Sequence, residues 1–216
     1  MNIKRYLETS IIKTLVFNVH YFGIKTIFEP YVLVSRNVRF QKLKGTVRID
    51  NPKLGSVKLG FGYVGIVDKR YIRTLWENTG VILFEGSANL GLGTKIACSG
   101  QLTIGNEMSV NANSSIVCFD SVKIGKQVLI SWDCLIMDTD FHKIIDLSDN
   151  GVINPNEEIV IGDSVWIGCR SMVFKGSVIP NNSIIAAGST VTKTLDEENA
   201  VYISNVKKRT GVQWKY

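Results

Sequence analysis

Two histidines, His20 and His142, are the candidates for proton transfer in this 216-residue chain. An imidazole titrates near neutrality, so it can take or give a proton at physiological pH. His20 lies in an apolar stretch near the N-terminus, a setting that suits a structural role. His142 closes Asp138-Thr139-Asp140-Phe141-His142, with two carboxylates close by in sequence. A histidine near carboxylates on a rigid edge can serve as a general base, with an acid fixing its tautomer. A solvated loop histidine is the competing reading, and spacing alone leaves both open. No G-x-S-x-G elbow marks a nucleophilic serine. The four cysteines, Cys98, Cys118, Cys134 and Cys169, show no C-x-x-C spacing and no histidine partners placed for zinc. They read as small, reduced core or turn residues of a cytoplasmic protein, and no metal site is expected.

Such a base needs a rigid edge, and an internal repeat supplies one. Ile104, Val110 and Ile116 lie six apart; after a two-residue slip Ile124, Ile130 and Ile136 resume the rhythm. Ile161, Ile167, Val173, Ile179, Ile185 and Val191 then run six apart without a miss. Glycine follows the repeated residue at Gly105, Gly125, Gly162 and Gly168, and serine recurs at Ser114, Ser171, Ser177, Ser183 and Ser189. A period of six drifts around a helix of 3.6 residues per turn, but it fits short strands joined by tight corners. One β-branched side chain per repeat points inward, and three strands close a triangular coil of 18 residues. Successive coils then stack as parallel strands about 4.8 Å apart. The predicted fold class is therefore all-β, a parallel β-helix of hexapeptide repeats.

The expected layout is an N-terminal helical cap or extension at 1–29, irregular first coils at 30–103, a regular core at 104–196 and a tail at 197–216. Ile3, Leu7, Ile11 and Leu15 recur every four residues, with Lys4, Arg5, Glu8 and Lys13 off that stripe. This predicts an amphipathic helix, either capping the open end of the solenoid or lying on a membrane surface. Residues 142–160 interrupt the repeat with turn chemistry, Asp149-Asn150-Gly151 and Asn154-Pro155-Asn156, and predict an extruded loop. The chain carries 25 basic and 19 acidic residues, +6, while residues 1–48 alone hold nine Lys/Arg and two Glu. A basic edge suits phosphates, anionic lipid or an acidic ligand without choosing among them. The longest uncharged run near the N-terminus, Thr14 to Ile24, has 11 residues, against roughly 20 for a membrane span. Glu8 and Lys13 argue against a signal peptide. Nucleic-acid binding would rest on charge alone, with no RNP, zinc-finger or helix-turn-helix context.

The segment from Val122 to Lys193 resembles the hexapeptide-repeat O-acetyltransferases, the group that includes galactoside, maltose and nodulation-factor acetyltransferases. The resemblance rests on Ile124-Gly125, the His142 loop, Ile161-Gly162-Asp163-Ser164-Val165-Trp166-Ile167-Gly168, and Ala186-Ala187-Gly188-Ser189-Thr190-Val191-Thr192-Lys193. It covers about a third of the chain, with weaker similarity back to about Gly86. The stretch from Ile130-Ser131-Trp132-Asp133 to His142-Lys143-Ile144 is most similar to capsule and surface-polysaccharide acetyltransferases.

The resemblance implies a left-handed β-helix and acetyl-CoA as co-substrate, with no metal. It implies His142 as the base that deprotonates an acceptor hydroxyl, and Asn111, one coil earlier, near the reacting centre. Trp166, Gly168, Cys169, Ala187, Thr192 and Lys193 fall at acetyl-CoA-binding positions. Homotrimer assembly is also implied, with each acetyl-CoA groove between two subunits. Where the family has a Gly-x-Pro-Ala-Lys/Arg turn, this chain reads Ile203-Ser204-Asn205-Val206-Lys207-Lys208-Arg209, so Lys208 stands in for the basic residue toward the phosphates. Asp120, Trp132 and Asp140 are candidate acceptor-side residues. The function expected is acetyl transfer to a hydroxyl of a sugar or glycan precursor, in the cytoplasm or at the inner face of the membrane. An amino-sugar or antibiotic N-acetyltransferase and a non-catalytic scaffold are the alternatives. A γ-type carbonic anhydrase needs three histidine ligands, and this chain has two histidines.

Overall fold

The computed structural model describes residues 8–62 and 64–215. From Val32 onward the chain winds through three flat walls of parallel strands. The first wall contains Val32–Val34, Val57–Leu59, Ala88–Leu90, Met108–Val110, Leu129–Ile130, Trp166–Ile167, Ile184–Ile185 and Val201–Ile203. The second runs from Val38–Leu43 to Thr190–Val191, and the third from Thr46–Ile49 to Val178–Ile179. Each coil visits the walls in the same order, so three columns of corners run the length of the solenoid. All twelve residues of the six-residue rhythm are buried in the core. They stack in register, as in Ile104, Ile124, Ile161 and Ile179 on the third wall.

Two sequence features acquire a mechanical reason here. A Cβ added to Gly105 would lie 2.3 Å from the backbone carbon of Gly125 in the next coil, so only glycine fits where corners stack this closely. The repeated serines are buried at the corners, and four of the five bond backbone groups there: Ser114 Oγ donates to Ser131 O and accepts from Cys134 N, whereas the Ser189 hydroxyl has no partner among the described residues. The coil length differs from the 18 residues expected of a uniform repeat. Ile104 pairs with Ile124 and Ile116 with Ile136, a 20-residue step, and only beyond Ile161 does the step fall to 18. The extra pair sits at the corner between the second and third walls, at Ser99-Gly100 and Phe119-Asp120. Two segments leave the solenoid. Residues 139–158 leave at that same corner, close to the predicted 142–160 loop, and residues 60–73 leave at the corner between the first and second walls.

The helix Ile11–Phe22, α1, begins at Ser10, whose side chain accepts from Lys13 N, and ends at Gly23 with φ +84°. It caps the open end of the first coil, but with a different face from the predicted stripe. Ile3, Lys4, Arg5 and Leu7 lie outside the described residues; Ile11 is exposed and Leu15 half-buried. Thr14, Phe17 and Asn18 are buried instead. The edge strand Val32–Val34 has backbone groups with no neighbouring strand to bond, and an apolar stripe could not satisfy them. Asn18 accepts from Val32 N (3.0 Å) and donates to Val32 O (2.7 Å), while Thr14 Oγ1 accepts from Val34 N (3.1 Å). Phe17 fills the space below, edge-on to Trp76 at 5.1 Å.

Asn18→Ala removes both edge-strand bonds and leaves the Val32 amide buried. It should destabilise the first coil by about 1–3 kcal/mol, read as faster hydrogen exchange at Val32 and Val34 with the core amides unchanged.

Candidate active site

The solenoid sorts the sequence-predicted residues onto two corner columns. His142, Asp120, Asp140, Thr192 and Lys193 lie at the corner between the second and third walls. Asn111, Trp132, Gly168, Cys169 and Ala187 lie at the corner between the first and second, with Trp166 on the adjoining first wall. Asn111 and His142 are therefore not brought together within one chain: the second wall stands between their corners.

The chain departs for the His142 loop at Asp138, which is fully buried. Its two carboxylate oxygens accept from Phe119 N (2.7 Å) and Asp120 N (2.8 Å), pinning the exit to the coil below. Asp140 meets the Lys175 ammonium at 2.5 Å and accepts from Asn154 Nδ2 at 2.8 Å. Lys175 also donates to Asn154 O (3.1 Å) and Pro155 O (3.0 Å), so one ammonium ties the outgoing and returning arms of the loop. Asn154 brackets the histidine, donating to His142 O (2.9 Å) and accepting from Ile144 N (2.6 Å). The expectation that an acid would orient His142 meets a different arrangement. Both nearby carboxylates are engaged elsewhere, and the exposed imidazole has no hydrogen-bond partner among the described residues. The loop's backbone positions it instead. Below it opens a cavity of about 230 Å³ lined by Phe119, Thr139, Phe141, His142, Asn154 and Pro155, where Phe119 and Phe141 meet edge-on at 5.0 Å.

The other corner has a different character. Cys169 is half-buried and Ala187 exposed, and a Cβ at Gly188 would meet nothing within 4 Å, so small side chains leave a strip of open backbone. Gly168 serves the fold first: a Cβ there would lie 2.5 Å from Ala187 N. Trp166 donates to Ser131 Oγ (3.1 Å) and lies 6.4 Å from the Trp214 ring. A polar ladder climbs the same corner, from Lys95 to Asn113 (2.9 Å) and from Asn113 to Asp133 (2.6 Å). Burial pushes the Cys134 thiol up to about 11, which leaves it inert. In the C-terminal hairpin, which turns at Ser204-Asn205, Lys207 is held by Asp196 and Glu197. Lys193 and Lys208 are exposed and make no ion pair among the described residues, leaving both ammoniums available to phosphates. No group of three or more His, Cys, Asp or Glu among the described residues is placed to hold a metal ion.

No protein-family model matches the chain. It is 37% identical over 92 residues to a galactoside O-acetyltransferase of Escherichia coli, covering 43% of this chain and 45% of that protein. It is 28% identical over 107 residues to a polysialic acid O-acetyltransferase of Neisseria meningitidis, covering 49% of each. Over these segments the chain is similar in sequence to carbohydrate O-acetyltransferases. It spans about half the length of these curated relatives. The crystal structure of the polySia-specific acetyltransferase NeuO superposes with a TM-score of 0.59 at 18% identity, over 86% of this chain and 79% of that one. That likeness establishes the fold as the left-handed β-helix of these enzymes. Lys175 and Asn154 were not legible as site residues: a lone lysine after a repeat and an asparagine in a turn carry no spacing signal.

Lys175→Met should loosen the loop while the coils stay folded, with proteolysis near Asp149-Asn150-Gly151 roughly three- to ten-fold faster, as expected for an ion pair plus two carbonyl bonds. Lys175, then Asn154, hold the Asp140 carboxyl below the usual carboxylate range. The clamp is thus complete above the ordinary carboxylate pKa and fades as pH falls through the lowered folded value. Proteolysis of the wild type should accelerate only in that acidic window.

Proposed function

We propose that this protein is an acetyl-CoA-dependent O-acetyltransferase acting on a sugar or glycan, with a surface or capsular polysaccharide precursor as the acceptor class. The observation that carries this reading is the partial match to galactoside and polysialic acid O-acetyltransferases, which act on carbohydrates. His142 takes the proton of the acceptor hydroxyl as its oxygen attacks the thioester carbonyl. A donor near Asn111 or a backbone amide stabilises the oxyanion. The carbon–sulfur bond then breaks, and the imidazolium returns its proton to the departing thiolate. Cys169 and Ala187 line the pantetheine path, Trp166 and Thr192 flank it, and Lys193 and Lys208 meet the phosphates. Asp120 and Trp132 face the acceptor, and Asp140 supports the loop that carries the base.

A homotrimer supports this chemistry. The His142 corner and the Asn111–Ala187 corner belong to different edges of one triangular rod, and a neighbour with a parallel axis would set one against the other. The loop also exposes Phe141, Ile144, Leu147 and Ile153, which suits coverage by a second subunit. No helix among the described residues is long and apolar enough to cross a membrane. A cytoplasmic location fits both the donor and the free cysteines.

Calorimetry should find saturable acetyl-CoA binding at one site per chain, and its absence at millimolar ligand would leave the scaffold alternative. His142→Ala should retain that binding while transfer to hydroxyl acceptors falls by roughly 10²–10⁴-fold. Preference for amine acceptors over hydroxyls would move the assignment to an N-acetyltransferase.

A further inference from the structure

We propose that the N-terminal end of the solenoid docks on an anionic lipid bilayer. With Thr14, Phe17 and Asn18 turned onto the first coil, α1 leaves Ile12, Val16 and Val19 exposed at i, i+4 and i+7 spacing on its opposite side. Ile11 is exposed at the start of the helix. The short turn Ile24–Ile27 adds two more exposed isoleucines, and Phe28 is 95% exposed. Seven large apolar side chains within 18 residues exceed the scattered exposure normal for a protein surface.

The rim of this face is basic. Each of the three corners of the first coil presents an exposed cation, Arg36, Lys44 and Lys53, and none of them has an ion-pair partner among the described residues. Across described residues 8–56 eight Lys/Arg stand against three acids, Glu8, Glu29 and Asp50, so the border keeps a net positive charge although Glu29 and Asp50 are exposed within it. An apolar centre within a cationic border matches the boundary between acyl chains and anionic headgroups. It does not match a second copy of the chain. Side-by-side packing through the walls leaves the end face bare, and end-to-end packing of two copies sets the same cationic rims against each other.

Docking of this kind stands the rod on the membrane. The strand before the His142 loop, Leu135–Met137, is four coil steps above the first strand of its wall, a height on the order of 20 Å. An acceptor tethered to the same bilayer would then be modified well above its lipid. That consequence rests on the acyl-transfer reading, whereas the docking itself does not.

The test is cosedimentation of the full chain with phosphatidylcholine vesicles, with and without phosphatidylglycerol, alongside acetyl-CoA calorimetry on the same samples. Binding is expected only to the anionic vesicles, and it should weaken as salt rises. The triple variant Ile12→Ser/Ile24→Ser/Phe28→Ser and the double variant Lys44→Glu/Lys53→Glu should each lose at least about ten-fold in vesicle affinity. Unchanged acetyl-CoA binding and melting temperature would show that both are folded. Wild-type protein that ignores anionic vesicles overturns the proposal, as do two folded variants that bind like wild type. A triple variant whose main effect is a smaller assembly in solution also overturns it, assigning the face to a second copy. Loss of acetyl-CoA binding with vesicle binding intact would count against the transferase reading alone.

Discussion

Close stacking of parallel coils governs this molecule. At about 4.8 Å per coil, each inward side chain must rest on the one below, and each corner must tolerate its neighbour's backbone. Gly105 and Gly168 face the next coil at distances no Cβ could accept. Departures from the repeat are therefore confined to corners, where a chain can leave and return without breaking a wall. The His142 loop uses this freedom at one corner column, and residues 60–73 use it at another.

The same constraint explains how a flexible-looking loop can present a base. It is anchored at its exit by the buried Asp138 carboxylate and drawn together by Lys175 from the next coil up. The rigid columns below and above thus fix a loop that has little core of its own. Asn154 then sets the backbone on both sides of His142. Two carboxylates placed near a histidine in sequence turn out to hold the loop, and the histidine depends on them indirectly.

This division marks what could be read from the residues. The six-residue rhythm was legible because an inward position admits only a β-branched or similar side chain, and all twelve such residues are in the core. Corner chemistry was less legible, since a two-residue insertion such as Phe119-Asp120 shifts the frame without changing the wall. The 60–73 excursion merged into what read as weak rhythm for the same reason. The helix face was misjudged because hydrophobic periodicity cannot register an exposed strand edge. Thr14 and Asn18 break an apolar stripe, yet they are the residues the edge requires.

Both ends of a solenoid expose an unpaired edge, and here the two ends solve the problem by different physics. The C-terminal end folds Val206–Arg209 back as an antiparallel strand on Val201–Ile203, so backbone satisfies backbone. All four of its residues are exposed, and the surface it presents is basic. The N-terminal end satisfies its edge through two polar side chains of a helix, a solution that uses only one side of that helix. The other side is then free of any structural demand from the coil beneath it. Apolar residues persist there nonetheless, beside cations with no partner in the described chain. A cap needed only to close the solenoid would be stable with a polar outer face, and more soluble, so the outer face answers to something beyond the fold.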